Sequence, residues 1–266
     1  MSALGHTEIK AKARAALFAG QFLRYVVAYF LLVMVTLIAV STLAGILTVG
    51  IAASGIAPFF APGGQPEIGL FLDPEVMMPL MGSILVFSLL VIYPIGFATW
   101  GKAAMSIATM RRGLTIGHAF SGWGHGWKMG WIVMVKMTYL SLWSLLVIPG
   151  IVKSFSYVMT DLIAVDHPDW CATQCITESR RLMKGNKLRY FVLLLSLIGW
   201  VLLLVVASWI PLCGNVLQFF ILPYMDTSKA SFYENLLDCD EQRKDATDSA
   251  DTTDYAGIFE KQNLKN

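Results

Sequence analysis

Charge is the scarcest commodity in this chain: Asp, Glu, Lys and Arg fill 14% of its 266 positions, against about 25% in an ordinary soluble domain. With a positive mean hydropathy, that shortfall means much of the surface faces something other than water. Cysteine is equally sparse. Four residues, Cys171, Cys175, Cys213 and Cys239, are too few and too scattered for a disulfide framework. Enzyme signatures are missing as well: no His-Glu-x-x-His metal motif, no phosphate-binding glycine loop and no nucleophile elbow. Cys171 and Cys175 stand one turn apart without the second pair that structural zinc needs. No cofactor and no metal is therefore expected, and the function expected is non-enzymatic. Basic residues are spread along the edges of apolar runs, so nucleic acid is not an expected partner.

What the chain does have is long uncharged runs. Tyr25–Ala53 holds 29 residues without a charge, too long for the core of a cleavable signal. A bilayer core takes roughly 20 apolar residues of helix. The apolar pattern predicts membrane helices over about 25–53, 76–100, 130–147, 151–165, 188–210 and 212–235. The span 151–165 is short, about 22 Å at 1.5 Å per residue, so 130–165 could be one helix or a hairpin bent at Pro149-Gly150. Charge decides between them, because Lys and Arg collect on the cytoplasmic side. Residues 1–24 and 101–128 carry four each, residues 166–189 carry five, and the loop 54–75 carries none, with Glu67, Asp73 and Glu75 instead. Only the hairpin keeps all three basic segments on one side. The fold class expected is all-α, a polytopic membrane bundle of about six helices in one domain over 1–237. Both termini are then cytoplasmic. Residues 238–266 are expected as an acidic, disordered cytoplasmic tail.

Two stretches read as amphipathic helices lying on the cytoplasmic interface, over about 7–19 and 168–184. The second starts at Pro168 and stops at Gly185, with Ala172, Cys175, Ile176, Ser179, Leu182 and Met183 on one face. The first places Ile9, Ala13, Ala16 and Leu17 together and stops at Gly20. They continue in parallel: Leu17 to Tyr25, with Gly20 and Arg24, resembles Leu182 to Tyr190, with Gly185 and Arg189. A looser third copy begins at Phe120. Either the chain repeats a hairpin unit, or every helix entering a bilayer here needs a glycine break and a basic anchor. Trp123, Trp127 and Trp131 share one helical face and suit a membrane interface. His118 and His125 flank them as interfacial polar residues.

Several motifs together are similar to those of a bacterial integral-membrane family called domain of unknown function 975. They are Ile9-Lys10 through Gly20-Gln21, Leu146-Val147-Ile148-Pro149-Gly150 through Thr160, Ser179-Arg180-Arg181 through Lys187, Ser196 through Trp200, and Leu222-Pro223-Tyr224-Met225 with Phe232-Tyr233. Asp161 stands where the resemblance leads one to expect proline. The resemblance implies a multi-helix protein of the bacterial inner membrane and implies no activity.

Ionisable groups inside spans are costly and mark functional candidates. Lys136, Asp161 and Lys153 qualify. Lys136 and Asp161 sit at similar depth in the predicted hairpin, so they can pair as a structural clamp or line a polar path, or Lys136 can snorkel to the headgroups. Lys153 is expected near the outer face, facing Glu67, Asp73 or Glu75. Arg180, Arg181, Lys184, Lys187 and Arg189 are expected at the membrane surface, with anionic headgroups as partner and other membrane proteins as further candidates. The function expected is the organisation of lipid or partner proteins; the alternative is a small transporter built on Lys136 and Asp161.

Overall fold

The structure, a computed structural model, describes residues 5–53, 74–111, 113–209 and 213–263. Among these there is no strand, and the helices run α1 (His6–Phe18), α2 (Phe22–Ala53), α3 (Pro74–Arg111), α4 (Gly117–Phe120), α5 (Gly126–Ser144), α6 (Val147–Ser156), α7 (Thr160–Asp166), α8 (Ala172–Leu182), α9 (Lys187–Ala207) and α10 (Cys213–Asn263). Among the described residues, three segments are long and apolar enough to cross a membrane: Phe22–Val49, Leu90–Arg111 and Lys187–Ala207.

One end of the bundle is packed and the other is not. The core gathers Ile9 of α1, Trp100 of α3, Met129 and Ile132 of α5, Leu162 and Ile163 of α7, Tyr190 and Leu193 of α9, and Phe232 and Tyr233 of α10. A second cluster joins Leu17, Tyr25, Tyr29 and Leu32 to Phe97 and Met105. Further along the same helices large apolar side chains stand uncovered, among them Ile46, Val49, Leu142, Leu202 and Val206. Such a surface belongs against apolar surroundings rather than water. The hydroxyls there behave accordingly. Thr42, Thr48, Thr138, Ser141 and Ser208 each donate to a carbonyl three or four residues back, which satisfies these hydroxyls without water.

Helices α1 and α8 cover most of the two stretches read as interfacial, but their apolar faces are not free to rest on headgroups. Ile9, Ala13 and Leu17 of α1 are buried, as are Ala172, Cys175, Ile176, Ser179 and Leu182 of α8, and both faces close over the bundle's own core. The period that makes a helix suit an interface equally suits it to a protein partner. Helix α8 begins at Ala172 rather than Pro168. The ring stack of His167 on Trp170, centroids 4.0 Å apart, holds the chain in a turn first, and the Cys171 N–H then donates to the Gln174 side-chain Oε1 at the helix start.

The helix predicted over 151–165 is broken. Helix α6 ends at Ser156 and α7 starts at Thr160, because the Ser156 carbonyl accepts the buried Ser179 hydroxyl of α8 at 2.8 Å. A tertiary bond across 23 residues overrides the local apolar pattern. Segment 238–263, expected to be disordered, continues α10 as helix; its first residues are tied to α8 through Asp240.

The parallel between residues 17–25 and 182–190 is also a parallel of geometry. Gly20 and Gly185 adopt φ of 82° and 85°, a left-handed turn that costs a side-chain-bearing residue about 1–2 kcal/mol. Leu17, Leu182, Tyr25 and Tyr190 are all buried. Helix, glycine elbow and apolar helix thus recur as α1–α2 and α8–α9. Gly122, in the looser third copy, lacks the positive φ. Glycine also permits close approach near two helix starts: a Cβ on Gly150 would lie 3.0 Å from Ser144 Cα, and one on Gly214 would lie 2.8 Å from Ser208 Cα.

Candidate functional site

Helices α5 and α7 bring Lys136 and Asp161 together, Nζ to Oδ1 at 2.5 Å. The pair is not alone. Lys229 of α10 stands 3.7 Å from the other carboxylate oxygen of Asp161. One helical turn before it, Asp226 faces the charges of Lys102 of α3, Lys229 and Asp161. Its own charge acts on Tyr25 and Tyr29 of α2 and on Tyr190 of α9. Asp226 has no hydrogen-bond or ion-pair partner among the described residues, and the fully buried Tyr25 hydroxyl has none either. Lys136, Asp161 and Lys229 keep 13%, 15% and 24% of their side-chain surface accessible, so the charges line a crevice rather than a sealed core. Three lysines against two aspartates leave the crevice net basic.

Lys229 and Asp226 escape the sequence reading although the last expected helix, 212–235, contains them: they follow the uncharged run that ends at Met225 and are not counted among the ionisable groups inside spans. The signal is there nonetheless. Ala230, Phe232, Tyr233 and Leu236 carry a buried helical pattern past Met225, which places Asp226 and Lys229 inside the bundle.

Lys153 is not where it is expected. Helix α6 is ten residues long and Lys153 lies one turn from the Ser156–Ser179 bond. It therefore shares a groove with Arg180, Arg181, Lys184 and Lys187, about 700 Å³ in volume. Its ammonium sits over the Trp143 ring, 4.6 Å from the centroid. Glu67 and Asp73, its expected partners, lie outside the described residues, as does the side chain of Glu75 and that of Cys213.

The five surface cations divide into two groups. Arg181 is held by Glu178 at 2.6 Å and Asp240 at 2.7 Å; these carboxylates push the guanidinium up, and Asp240 is pulled well below the usual carboxylate range, chiefly by its hydrogen bonds from Arg181. Arg189 donates to Asn186 and Asn235 at 3.0 and 2.8 Å and lies over the Phe232 ring, so it fastens α9 to α10. Arg180 and Lys184 are exposed and Lys187 half-buried, and none has a carboxylate partner among the described residues. A third ionic contact ties the packed end: Arg111 of α3 bridges Asp166 at 2.8 Å and Glu234 at 2.6 Å, and the Tyr233 hydroxyl donates to Asp166.

Trp123, Trp127 and Trp131 point outward together. Tyr93 packs on Trp127, and its hydroxyl donates to the Trp123 carbonyl. His125 stacks on Trp100 at 4.3 Å, and His118 caps its own turn at Thr115. The exposed Cys171 thiol is shifted down by its hydrogen bond with Thr173, while Cys175 is buried. Among the described residues no three His, Cys, Asp or Glu side chains converge as a metal would require.

The family model described as "Protein of unknown function (DUF975)" matches residues 104–240. That range holds the Lys136–Asp161–Lys229 cluster, the basic groove and Asp240; α1 and α2, with Tyr25, precede it. No curated protein and no solved structure matches the chain.

Proposed function

We propose, for a chain that belongs to the DUF975 family of proteins of unknown function, a non-enzymatic role in the bacterial inner membrane: organising anionic lipid at the cytoplasmic face. One observation carries the reading. Lys153, Arg180, Lys184 and Lys187 converge on one groove without carboxylate partners among the described residues, directly beside apolar helix surface. Unpaired cations at such a border attract anionic headgroups, at about 1 kcal/mol per side chain. The same reading makes the chain a polytopic membrane bundle with both termini cytoplasmic.

Two experiments test it. A reporter fused at the C-terminus is expected to report from the cytoplasmic side; a tail that reports outside sinks this orientation. Reconstituted protein is expected to be more heat-stable in bilayers containing phosphatidylglycerol than in pure phosphatidylcholine. The triple variant R180Q/K184Q/K187Q should lose most of that difference, and an unchanged difference counts against the role.

The charged crevice favours a second reading, a small transporter. Asp226 without a partner and Asp161 between two lysines give a polar path inside the bundle, where ionisable residues mark substrate or proton routes. Loss of a substrate flux in D161N, in protein that still folds, distinguishes it from the first reading.

A further inference from the structure

Building on the lipid-organising reading, we propose that the groove between α6, α8 and α9 is a discrete seat for one anionic phospholipid. Its phosphate lies among Lys153, Arg180 and Lys187, and its acyl chains lie along the exposed apolar strip of α6 and α9.

The argument starts from the two borders of the groove. One is cationic. Lys153 leans on the Trp143 ring, a contact that holds the ammonium in place without neutralising it. Arg180 and Lys187 act on Lys153 electrostatically, so three like charges are held near one another with no described carboxylate between them. Concentrating like charge costs free energy, and an anion in the groove relieves it. Arg181, which also lines the groove, is already satisfied by Glu178 and Asp240, so the vacant charge is that of Lys153, Arg180, Lys184 and Lys187.

The other border is apolar. Leu188 lines the groove itself and is 77% exposed. Phe191 and Leu195 continue its strip along α9, and Ile151 and Val152 stand exposed on α6. A pocket for a free inorganic ion would have no use for this wall. A headgroup with chains attached fills both borders at once.

The test is native mass spectrometry of the full-length protein, delipidated in detergent and titrated with phosphatidylglycerol, phosphatidylcholine and inorganic phosphate. We expect one phosphatidylglycerol bound in preference to phosphatidylcholine and not displaced by excess phosphate. K153M and R180Q should each weaken binding about fivefold, from the attraction of a single Lys or Arg to an anionic headgroup. L188A, which changes no charge, should weaken it as well. Arg180 and Leu188 are exposed, so R180Q and L188A should melt like the parent protein, and this keeps the test valid if K153M misfolds. Phosphate displacing the lipid on equal terms would overturn the proposal in favour of a free-ion site. Unchanged phosphatidylglycerol affinity in R180Q and L188A, with its preference over phosphatidylcholine intact, would overturn the groove and leave the general lipid role standing. No preference in the parent protein would remove both.

Discussion

At Asp161 two lysines meet one carboxylate. Lys136 is the close partner, and Lys229, at 3.7 Å, is shared with Asp226. D161N removes the one opposite charge that Lys136 contacts among the described residues and leaves two ammonium groups facing each other. The expected cost is about 3 kcal/mol, the low end for breaking a buried pair, since both ends keep some accessible surface. K229M should cost clearly less, because Asp161 keeps Lys136. Thermal melts of the two variants in one detergent check the order; equal losses would show that Lys229 is the true counter-ion. The close pair is legible in the sequence because hairpin geometry sets both residues at one depth. Lys229 is not, because nothing local says that a charge just after an apolar run still points inward.

Among the elements, α8 and α10 are joined by the Arg181–Asp240 bridge. Its dependence on pH has a definite sign. The Asp240 carboxyl is held below its ordinary value by hydrogen bonds that Arg181 and Lys244 donate. Its contribution is therefore complete above that ordinary value, about 3.9, and is lost as pH falls through the lower folded value. Arg181 is 46% exposed, so the contribution is less than about 1 kcal/mol. Hydrogen-exchange protection in residues 236–245, taken relative to the intrinsic rate at each pH, is expected to fall on acidification below that ordinary value. D240N should show the lower protection already at neutral pH. A D240N profile identical to the parent's would show that the bridge does not hold α10. The faces of α1 and α8 are legible from their 3.6-residue period. What each face would meet is not, since the same stripe serves headgroups and a protein core. The break between α6 and α7 depends on Ser179 of another helix, so no window along 151–165 could contain it.

For the whole molecule, the packed end of the bundle needs residues far apart in the chain. Asp226, Lys229, Phe232, Tyr233 and Leu236 all enter it from α10, beyond the apolar run that marks the last helix. Truncation after Met225 is expected to abolish accumulation of folded protein, and truncation after Asp245 to leave the melting temperature within a few degrees. Fluorescence-detected size exclusion of both checks this; a folded, monodisperse product ending at Met225 would refute the packing described. All-helical class and the apolar helices are legible from composition and run length alone, whereas the closing of the bundle at one end is not, because it is made by the ends of helices where polar and apolar residues mix. One bond sets the timing of that closure: the Ser231 hydroxyl donates to the Ile9 carbonyl across 222 residues. At about 5–20 residues per second of synthesis, roughly ten to forty-five seconds separate the emergence of α1 from that of its seat. For that interval the nascent chain carries an uncovered amphipathic helix at its leading end, and the leaflet beside it is the first surface on which that helix can wait.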